Sequence, residues 1–462
     1  MFNKNITTRQ GLKIIIVGCG KVGRTLVEVL SKEGHDITII DKKAAAIEQL
    51  TNLYDIMGIE GNGASYSTQK EAGIEESDLI IAVTESDELN LLCCTIATQV
   101  GDCAAIARVR NPDYNKEIGY LREKLGLAMI INPEYESALE IVRILSLPSS
   151  LEVNSFANGL TELIKFKIPE GSKMDGHSLI ELSTQFAGPV LIGAVERDGE
   201  VYIPSGSFVL KSGDTVSFVA THKKALEFFK NIGLNTKQVK NTMIVGGGRA
   251  AYYLADLLLH AGISVKIIEN NRERCEELSI LLPDAIIING DGTDKELLIE
   301  EGLKDAESFV PLTGIDEENI MLTLYAKNVS NAKVITKINR INFTEVINSL
   351  DLGSVIYPKY ITSEAIIAYV RAKKASMNSN IETLYHMYDS RVEAIEFNVV
   401  EESEVTNIPL KDLNLKKDLL IPYIIRNGSI IIAGGQDSIK PGDTVMIITS
   451  HAGISDIKDI LK

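Results

Sequence analysis

The sequence contains one unit written twice, and this duplication constrains the fold more than any other feature. Residues 13–20, an apolar run that ends in Gly-Cys-Gly, recur at 241–248, an offset of 228 residues. Far downstream, residues 211–216 recur at 440–445, an offset of 229 residues. Chance similarity between short motifs would not preserve this spacing over most of the chain. The sequence therefore predicts a tandem duplication of about half its length.

Each copy contains two kinds of pattern. In the first copy, apolar strand candidates alternate with segments of helical periodicity, which is typical of a parallel sheet covered on both faces. The strand candidates are 13–17, 36–40, 78–83 and 104–109, and the helix candidates are 22–32, 44–51, 85–100 and 133–145. The pattern then changes to that of a small α+β module. Its strand candidates are 160–168, 188–197, 201–203 and 215–220, and its closing helix is 223–232.

A glycine-rich loop joins the first predicted strand to the first predicted helix. Gly18 permits a tight turn, Gly20 lets the backbone approach a diphosphate, and Gly23 lets the helix pack on the strand. The helix N-terminus offers free N–H groups to phosphates. Asp41 ends the second strand, where a carboxylate accepts hydrogen bonds from an adenosine ribose. These residues predict a nucleotide site in which the acid disfavours NADP but does not separate NAD(H) from ATP or ADP.

Two further features extend the predicted pocket. Thr84 follows the strand candidate 78–83, at the switch point where ligands bind open sheets. Arg108 and Arg110 end the next strand and share one face because side chains alternate along a strand. A guanidinium pair at this position reaches phosphates. The alternative is an ordinary salt bridge to an acid on a neighbouring helix.

The second copy keeps this arrangement with substitutions at several positions. Gly246 and Gly248 are retained, whereas Ala251 replaces the third glycine, Glu269 replaces Asp41, Lys337 replaces Arg108 and Asn339 replaces Arg110, with Arg340 one residue on. Arg340 points to the opposite face if the strand continues. We therefore expect the second site to bind an adenine nucleotide with a different affinity or preference.

Composition excludes several classes of protein. The net charge of −16 opposes binding to nucleic acid or anionic lipid through overall charge. The five cysteines are odd in number and form no CxxC pair, which indicates reduced, buried thiols and no structural zinc site. No apolar run approaches the length of a membrane span.

The alternative function is that of an NAD-dependent oxidoreductase with a small substrate domain. Such an enzyme needs an acid–base residue beside the nicotinamide. The six histidines form no Cys–His or Ser–His–Asp arrangement, and no Walker P-loop is present. A redox-sensing transcription regulator is disfavoured by the acidic charge and the lack of a helix-turn-helix pattern. We therefore predict no catalytic residue and no metal site, and expect the nucleotide to act as a signal.

Four motifs, in order, resemble the RCK domain (regulator of K⁺ conductance, also called KTN). They occupy residues 17–23, 61–63, 82–90 and 108–112, and the small modules, each with Lys-x-Gly-Asp-Thr-Val, resemble the C-terminal RCK subdomain. The resemblance covers nearly everything after residue 12. The loop motif alone is common, whereas the ordered and duplicated set is specific. Two complete copies in one chain is the arrangement of tandem RCK regulators of bacterial potassium uptake.

The predicted fold class is α/β, a tandem duplication of a Rossmann-like doubly wound parallel sheet domain (RCK N) followed by a small α+β domain (RCK C). The predicted domains are a flexible lead-in at 1–12, a first RCK N domain at 13–147, a first RCK C domain at 151–233, a second RCK N domain at 241–375 and a second RCK C domain at 380–462.

The resemblance implies a regulatory subunit on the cytoplasmic face of the cell membrane. Such a subunit forms a homo-oligomeric ring, a dimer or tetramer, and docks on a separate potassium-translocating membrane subunit (TrkH/TrkG-like), without nucleic acid and without direct insertion into lipid. The resemblance leaves open whether the small modules bind a second effector such as cyclic di-AMP.

The resemblance and the loop chemistry together give the candidate ligand-binding residues, with NAD(H) and ATP/ADP as the implied ligands. In the first copy they are Gly18, Cys19, Gly20, Lys21, Val22, Gly23, Asp41, Lys42, Asn62, Thr84, Glu85, Arg108 and Arg110. In the second copy they are Gly246, Gly247, Gly248, Arg249, Ala250, Glu269, Asp291, Thr313 and Lys337.

Overall fold

The computed structural model describes residues 11–185, 190–339, 346–347, 350–376, 381–388, 391–451, 453–454 and 456–462. Most of the predicted lead-in, the start of the strand candidate 188–197 and Arg340 lie outside the described residues. The chain divides into two compact units. One unit reaches to Ser137 and includes Tyr357–Ile367, and the other comprises Ala138–Ile356 and Ala368–Lys462.

A six-stranded parallel sheet forms the centre of the first copy. Its strands are β1 (Lys13–Val17), β2 (Asp36–Asp41), β3 (Met57–Glu60), β4 (Leu79–Ala82), β5 (Ala104–Arg108) and β6 (Met129–Ile131), in the order β3-β2-β1-β4-β5-β6. The helices are α1 (Lys21–Lys32), α2 (Ala44–Thr51), α3 (Tyr66–Glu71), α4 (Asp87–Val100), α5 (Pro112–Asn115), α6 (Ile118–Lys124) and α7 (Pro133–Ser146). The order reverses between β1 and β4, so the loops after these strands meet where open sheets bind ligands.

The central strands of this sheet are buried because each is an uninterrupted apolar run. Residues 14–17 of β1 are at most 2% exposed, and residues 79–82 of β4 are fully buried. Burial on both faces is what a parallel sheet with helices on each side requires. The predicted doubly wound arrangement is confirmed.

An antiparallel sheet follows in the first small domain. Its elements are β7 (Glu152–Phe156), β8 (Thr161–Lys167), α8 (Leu179–Gln185), β9 (Leu191–Arg197), β10 (Glu200–Tyr202), β11 (Thr215–Ala220) and α9 (His222–Asn231), with strand order β10-β9-β11-β8-β7. The predicted hairpin joins β9 to β10 through Asp198 and Gly199. Both have positive φ, 53° and 80°, as a two-residue hairpin turn needs.

The second copy repeats both sheets. Its parallel sheet contains β12 (Asn241–Val245), β13 (Ser264–Glu269), β14 (Ile286–Asn289), β15 (Ser308–Pro311), β16 (Lys333–Lys337) and β17 (Ser354–Ile356), in the order β14-β13-β12-β15-β16-β17. Its helices are α10 (Arg249–His260), α11 (Arg272–Leu281), α12 (Lys295–Glu300), α13 (Asp316–Val329) and α14 (Pro358–Ser376). The antiparallel sheet contains β18 (Ile381–Met387), β19 (Val392–Asn398), β20 (Leu419–Arg426), β21 (Ser429–Ile432) and β22 (Thr444–Thr449), in the order β18-β19-β22-β20-β21.

The repeated Lys-x-Gly-Asp turn is held by a buried aspartate. In the first small domain, Asp214 accepts two hydrogen bonds from the Arg197 guanidinium, at 2.7 and 2.6 Å, and one from the Lys211 backbone N–H at 2.8 Å. Asp443 accepts the equivalent bonds from Arg426 in the second small domain. Two parallel N–H···O bonds fix this geometry, so the motif stabilises the turn before the last strand.

The two small domains share an apolar core. Phe156, Leu163 and Ala194 of the first domain pack in one cluster with Tyr423 and Met446 of the second. All five cysteines are buried and free, as predicted. No helix in the described part of the chain is long and apolar enough to cross a membrane.

Candidate functional site

The loop between β1 and α1 needs two of its glycines for the protein's own geometry. Gly18 has φ +112°, a conformation that a residue with a side chain rarely adopts. It also lies against the end of β4, since a Cβ there would come within 3.1 Å of the Thr84 backbone nitrogen. A Cβ on Gly23 would fall on the carbonyl oxygen of Gly18. These two residues explain how the strand turns into the helix and how tightly the helix packs.

Gly20 serves a different purpose. Its φ is −68°, which any residue can adopt, and a Cβ there would meet nothing within 4 Å. It stands at the N-cap of α1, where no side chain caps the helix and no acid occupies the first turn. Free N–H groups therefore face open space at the positive end of the helix dipole. The geometry fits a phosphate group, which would fill this space and accept these N–H bonds.

Asp41 links the end of β2 to the glycine loop. Its Oδ2 accepts a hydrogen bond from the Cys19 N–H at 2.6 Å, and its Oδ1 accepts one from the Lys43 N–H at 2.9 Å. A carboxylate has about four acceptor positions, so capacity remains for ribose hydroxyls. Burial, and then the charge of Asp41, raise the pKa of the Cys19 thiol to about 12. Asp41 therefore shapes the loop in addition to its predicted role toward a ribose.

An asparagine joins the ends of β4 and β5. The side-chain oxygen of Asn90 accepts bonds from the backbone N–H and the hydroxyl of Thr84, at 2.8 and 2.7 Å. Its amide donates to the carbonyl oxygens of Thr84 and Arg108, at 3.1 and 2.9 Å. Asn90 is fully buried in α4 and uses its whole hydrogen-bonding capacity. It fixes the two strand ends that carry the rest of the site.

Two arginines lie side by side at the end of β5. The guanidinium of Arg108 donates to the carbonyl oxygen of Thr84, and that of Arg110 donates to the carbonyl oxygen of Glu85. The Nε of Arg108 is buried and has no hydrogen-bond partner among the described residues. Burial, and then the charge of Arg110, lower the pKa of Arg108. A buried cation beside a like charge, with an unused donor, favours an anion.

Asp87 supplies one of the negative charges beside this pair, and the charges of Glu134 and Glu85 also act on Arg108. Its Oδ2 accepts the backbone N–H groups of Arg110 and Asn111, both at 2.8 Å, and its Oδ1 lies 3.6 Å from the Nε of Arg110. The salt bridge considered from the sequence is therefore present for Arg110. Arg108 is instead held by the neutral carbonyl of Thr84.

The second copy builds the same frame from its own residues. Gly246 has φ +96°, and Gly248 is the open N-cap glycine, with φ −66° and nothing within 4 Å of an added Cβ. Glu269 accepts the N–H groups of Gly247 and Asn271, at 2.6 and 2.8 Å. Asn319 repeats the bonds of Asn90 to the equivalent threonine, Thr313, and to the carbonyl of Lys337.

The cationic part of the second site differs. Lys337 donates its ammonium group to the carbonyl oxygen of Leu312 at 3.0 Å. Asn339 stands where the first copy has Arg110, and its amide donates to Asp316 at 2.9 Å. Asp291 accepts the backbone N–H and hydroxyl of Thr293, and these hydrogen bonds lower its pKa.

The other predicted residues lie around the two loops. In the first copy, Lys21 and Lys42 are exposed, Val22 is buried, and Asn62 caps its own turn by accepting the Ala64 N–H at 3.2 Å. In the second copy, Arg249 is exposed and Ala250 is half-buried in the first turn of α10.

Sequence reasoning missed the residues that hold the strand ends together. Asn90, Asn319, Asp87 and Asp316 belong to motifs that recur in both copies, yet they were not assigned to the site. Their recurrence at a fixed offset is the pattern that identifies them.

Family models match both halves of each copy. The model described as the TrkA-N domain matches residues 14–133 and 242–358, and the one described as the TrkA-C domain matches residues 163–233 and 394–462. The parallel sheets fall in the TrkA-N matches, and the antiparallel sheets overlap the TrkA-C matches.

Similar proteins cover nearly the whole chain. The "Trk system potassium uptake protein TrkA homolog" of Archaeoglobus fulgidus is 32% identical over 98% of this chain and 100% of its own length. The "Trk system potassium uptake protein TrkA" of Haemophilus influenzae is 30% identical over 95% of this chain and 96% of its own. Among solved structures, "GsuK channel bound to NAD" has the same fold, with a TM-score of 0.63 and 16% identity, covering 95% of this chain and 77% of that one. The chain belongs to the TrkA family.

Proposed function

We propose that this chain is a nucleotide-sensing regulatory subunit of a potassium uptake system, with one adenine-nucleotide site in each copy. The observation that carries the proposal is the open N-cap glycine, Gly20 or Gly248, which neither backbone geometry nor packing requires. Each lies beside a glycine of positive φ and an acid that binds the loop. A diphosphate explains this combination, because it needs free N–H groups and close backbone approach.

The ligands are NAD(H) or ATP/ADP. Asp41 and Glu269 disfavour a 2′-phosphate, and these ligands share the ribose and diphosphate that the loop would bind. A solved protein of this fold carries NAD, and another structure of it carries ADP. The loop residues would hold the diphosphate, and the acids would accept the ribose hydroxyls.

The site is suited to binding rather than to catalysis. The groups assigned to the ligand are backbone N–H groups, guanidinium groups and an ammonium group, which bind phosphate, and carboxylates, which accept ribose hydroxyls. Cys19 is the thiol at the first loop, and its raised pKa keeps it protonated and a poor nucleophile near pH 7. We therefore place the chain among regulators and not among enzymes.

Regulation requires that the nucleotide prefers one conformation of the assembly. A ligand shifts such an equilibrium only by its differential affinity for the two states. In our proposal, copies of this chain form a ring on the cytoplasmic face of the membrane. Its rearrangement opens or closes a separate potassium-translocating subunit of the TrkH/TrkG kind.

The binding sites are tested by filling the open space with a side chain. Gly20→Glu and Gly248→Glu place a carboxylate over each helix N-terminus, and the structure has room for both. Titration calorimetry with ATP, ADP and NADH should show one class of site lost in each single variant and no binding in the double variant. Gly119→Glu, an exposed glycine of α6 with nothing within 4 Å, adds the same charge as a control. Undiminished binding by the double variant would contradict the proposal.

A further inference from the structure

The two nucleotide sites differ in charge at several aligned positions. Alignment of the two loops and strand ends pairs Lys42 with Asn270, Lys43 with Asn271, Asn62 with Asp291, Arg108 with Lys337 and Arg110 with Asn339. Each of these changes except that at Arg108 removes a positive charge from the second copy or adds a negative one. Three pairs change the charge in the other direction: Glu60 with Asn289, Glu85 with Gly314 and Asn111 with Arg340. The clearest difference is therefore the guanidinium pair, which only the first copy has at the end of its fifth strand.

The positive charge beside the glycine loop of the second copy, that of Arg274, is neutralised by an ion pair. In the first copy, the Nε of Arg24 donates to the Cys19 carbonyl at 3.0 Å, and its other contact is the neutral amide of Gln49. In the second copy, Tyr252 replaces Arg24, and Arg274 from α11 donates to the equivalent carbonyl at 2.7 Å. Arg274 also forms a 2.7 Å ion pair with Glu277. The loop carbonyl therefore accepts a hydrogen bond from an arginine in both copies. In the second copy, that arginine also forms an ion pair with a carboxylate.

The strand ends show the same contrast at closer range. In the first copy, two guanidinium groups donate to neutral carbonyls, and the negative charges of Glu134, Asp87 and Glu85 partly offset the lowering of the pKa of Arg108. In the second copy, one ammonium group remains, and the carboxylate of Asp316 is bonded by the uncharged amide of Asn339. The first site thus has a guanidinium pair and an unused buried donor at the Nε of Arg108. Among its described residues, the second site has a single ammonium group at the equivalent strand end and no guanidinium pair.

We propose that the first site selects its ligand through its guanidinium pair and takes a nucleoside polyphosphate, whereas the second site takes a dinucleotide. The inference rests on the proposed function, since it presumes nucleotides at both loops. A terminal phosphate beyond the shared diphosphate lies against Arg108 and Arg110 and receives charge-assisted bonds. At the second site, Lys337 and Asn339 offer a single cation and a neutral amide, which suit a ligand such as NAD, in which a nucleoside and not a third phosphate follows the diphosphate.

Single-site chains allow the preference of each site to be measured. The Gly248→Glu variant reports on the first site and the Gly20→Glu variant on the second. Titration calorimetry with ATP, ADP and NAD⁺ should show ATP bound about tenfold or more tightly than NAD⁺ at the first site, because bonds to charged groups are strong. The second site should bind NAD⁺ at least as tightly as ATP.

Reciprocal exchange supplies matched controls, because each exchange installs residues with which the other copy folds. Arg108→Lys with Arg110→Asn, in the Gly248→Glu chain, should abolish the preference for ATP. Lys337→Arg with Asn339→Arg, in the Gly20→Glu chain, should create it. ATP affinity should fall more steeply with salt concentration in chains whose measured site contains the two arginines, because salt screens charge.

Two results would overturn the inference in different ways. Equal ATP-to-NAD⁺ ratios at the two sites, or ratios that the exchanges leave unchanged, would overturn it and leave the proposed function standing. Absence of binding by every nucleotide would overturn both.

Discussion

At the scale of single residues, a buried glutamate stands between the two small domains. The Oε1 of Glu396 accepts the Tyr423 hydroxyl at 2.5 Å and the Ala157 N–H at 3.0 Å. The side chain is 1% exposed, and burial raises its pKa above the ordinary value of a glutamate, with a smaller effect of Glu382 in the same direction. Such a group couples the stability of this interface to pH.

Glu396→Gln should remove part of the pH dependence of stability. Below about pH 4.3, the ordinary glutamate pKa, folded and unfolded chains both hold the proton. As pH rises further, the unfolded chain releases its proton first, so the free energy of unfolding falls until the pH exceeds the raised pKa of the folded chain. The glutamine does not titrate, and its oxygen accepts the same two bonds.

Urea unfolding of the two chains between about pH 4.5 and pH 8 measures this difference. The unsubstituted chain should lose stability relative to the variant as the pH rises. Glu401→Gln, which alters an exposed glutamate of the same domain, is the control and should behave as the unsubstituted chain. Parallel curves for Glu396→Gln and the unsubstituted chain would show that the buried carboxyl carries no such linkage.

Residues that face the ligand were predictable, and residues that support them were not. Gly18, Gly20 and Asp41 follow from a motif whose chemistry is local in sequence. Asn90 bonds to Arg108, eighteen positions away along the chain, and Glu396 bonds to Ala157 across 239 positions. Such pairings depend on which elements lie next to each other in the folded chain, and no local sequence pattern contains this information.

At the scale of elements, the site depends on the register of two strand ends. Thr84 follows β4 and Arg108 ends β5, and Asn90 in α4 bonds to both. Because α4 begins directly after the loop that contains Thr84, Asn90 on this helix lies close enough to form hydrogen bonds with both strand ends. Asn319 forms the same hydrogen bonds in the second copy. The arrangement is therefore a feature of the fold and is not specific to one ligand.

Asn90→Leu should weaken the first site and the first parallel sheet together. Leucine has a similar shape but leaves the Thr84 N–H and the carbonyl of Arg108 without their partner. The cost is about 2–4 kcal/mol in the free energy of unfolding. Chemical unfolding and nucleotide titration of the Gly248→Glu chain with and without this substitution provide the measurement.

Asn319→Leu is the matched variant in the second copy. It should lower nucleotide affinity at the second site and leave the first site unchanged. If either leucine variant changed the nucleotide affinity of both sites equally, or of neither site, the asparagine would not act on its own site alone.

Elements with uninterrupted apolar runs were predictable, and edge elements were not. The strands β1, β4 and β5 were predicted because their residues are buried on both faces. The edge strand β3 was missed, because of its four residues only Ile59 is buried and no run marks it. Likewise β6 has only Ile131 buried. A strand at a sheet edge is defined by its neighbour more than by its own composition.

At the scale of the whole molecule, the duplication lets one chain pair two small domains that are no longer identical. Tyr423 and Glu396 of the second copy correspond to Ala194 and Lys165 of the first. Tyr423 and Ala194 lie in the same shared cluster, so a large side chain in one copy is accommodated by a small one in the other. The overall organisation was predictable from the repeat, whereas this unequal contact was not.

Gly193→Val should disturb the shared contact of the small domains. A Cβ on Gly193 would fall on the Cδ1 atom of Ile448, so the added side chain overpacks the interface. We expect a loss of about 1–3 kcal/mol in the free energy of unfolding. Ile448→Ala removes the obstructing methyl group and should recover part of the loss in the double variant, as in a mutant cycle. Additive effects of the two substitutions would show that the two positions do not touch.

The central claim is that nucleotides at the two loops control potassium movement through a membrane partner. The most direct measurement is potassium flux through liposomes that contain this chain and its potassium-translocating subunit, with ATP, ADP, NAD⁺ and NADH added in turn. We expect at least one nucleotide to change the flux, and the Gly20→Glu, Gly248→Glu double variant to assemble normally but no longer respond. Flux through the unsubstituted complex that ignores every one of these nucleotides would contradict it.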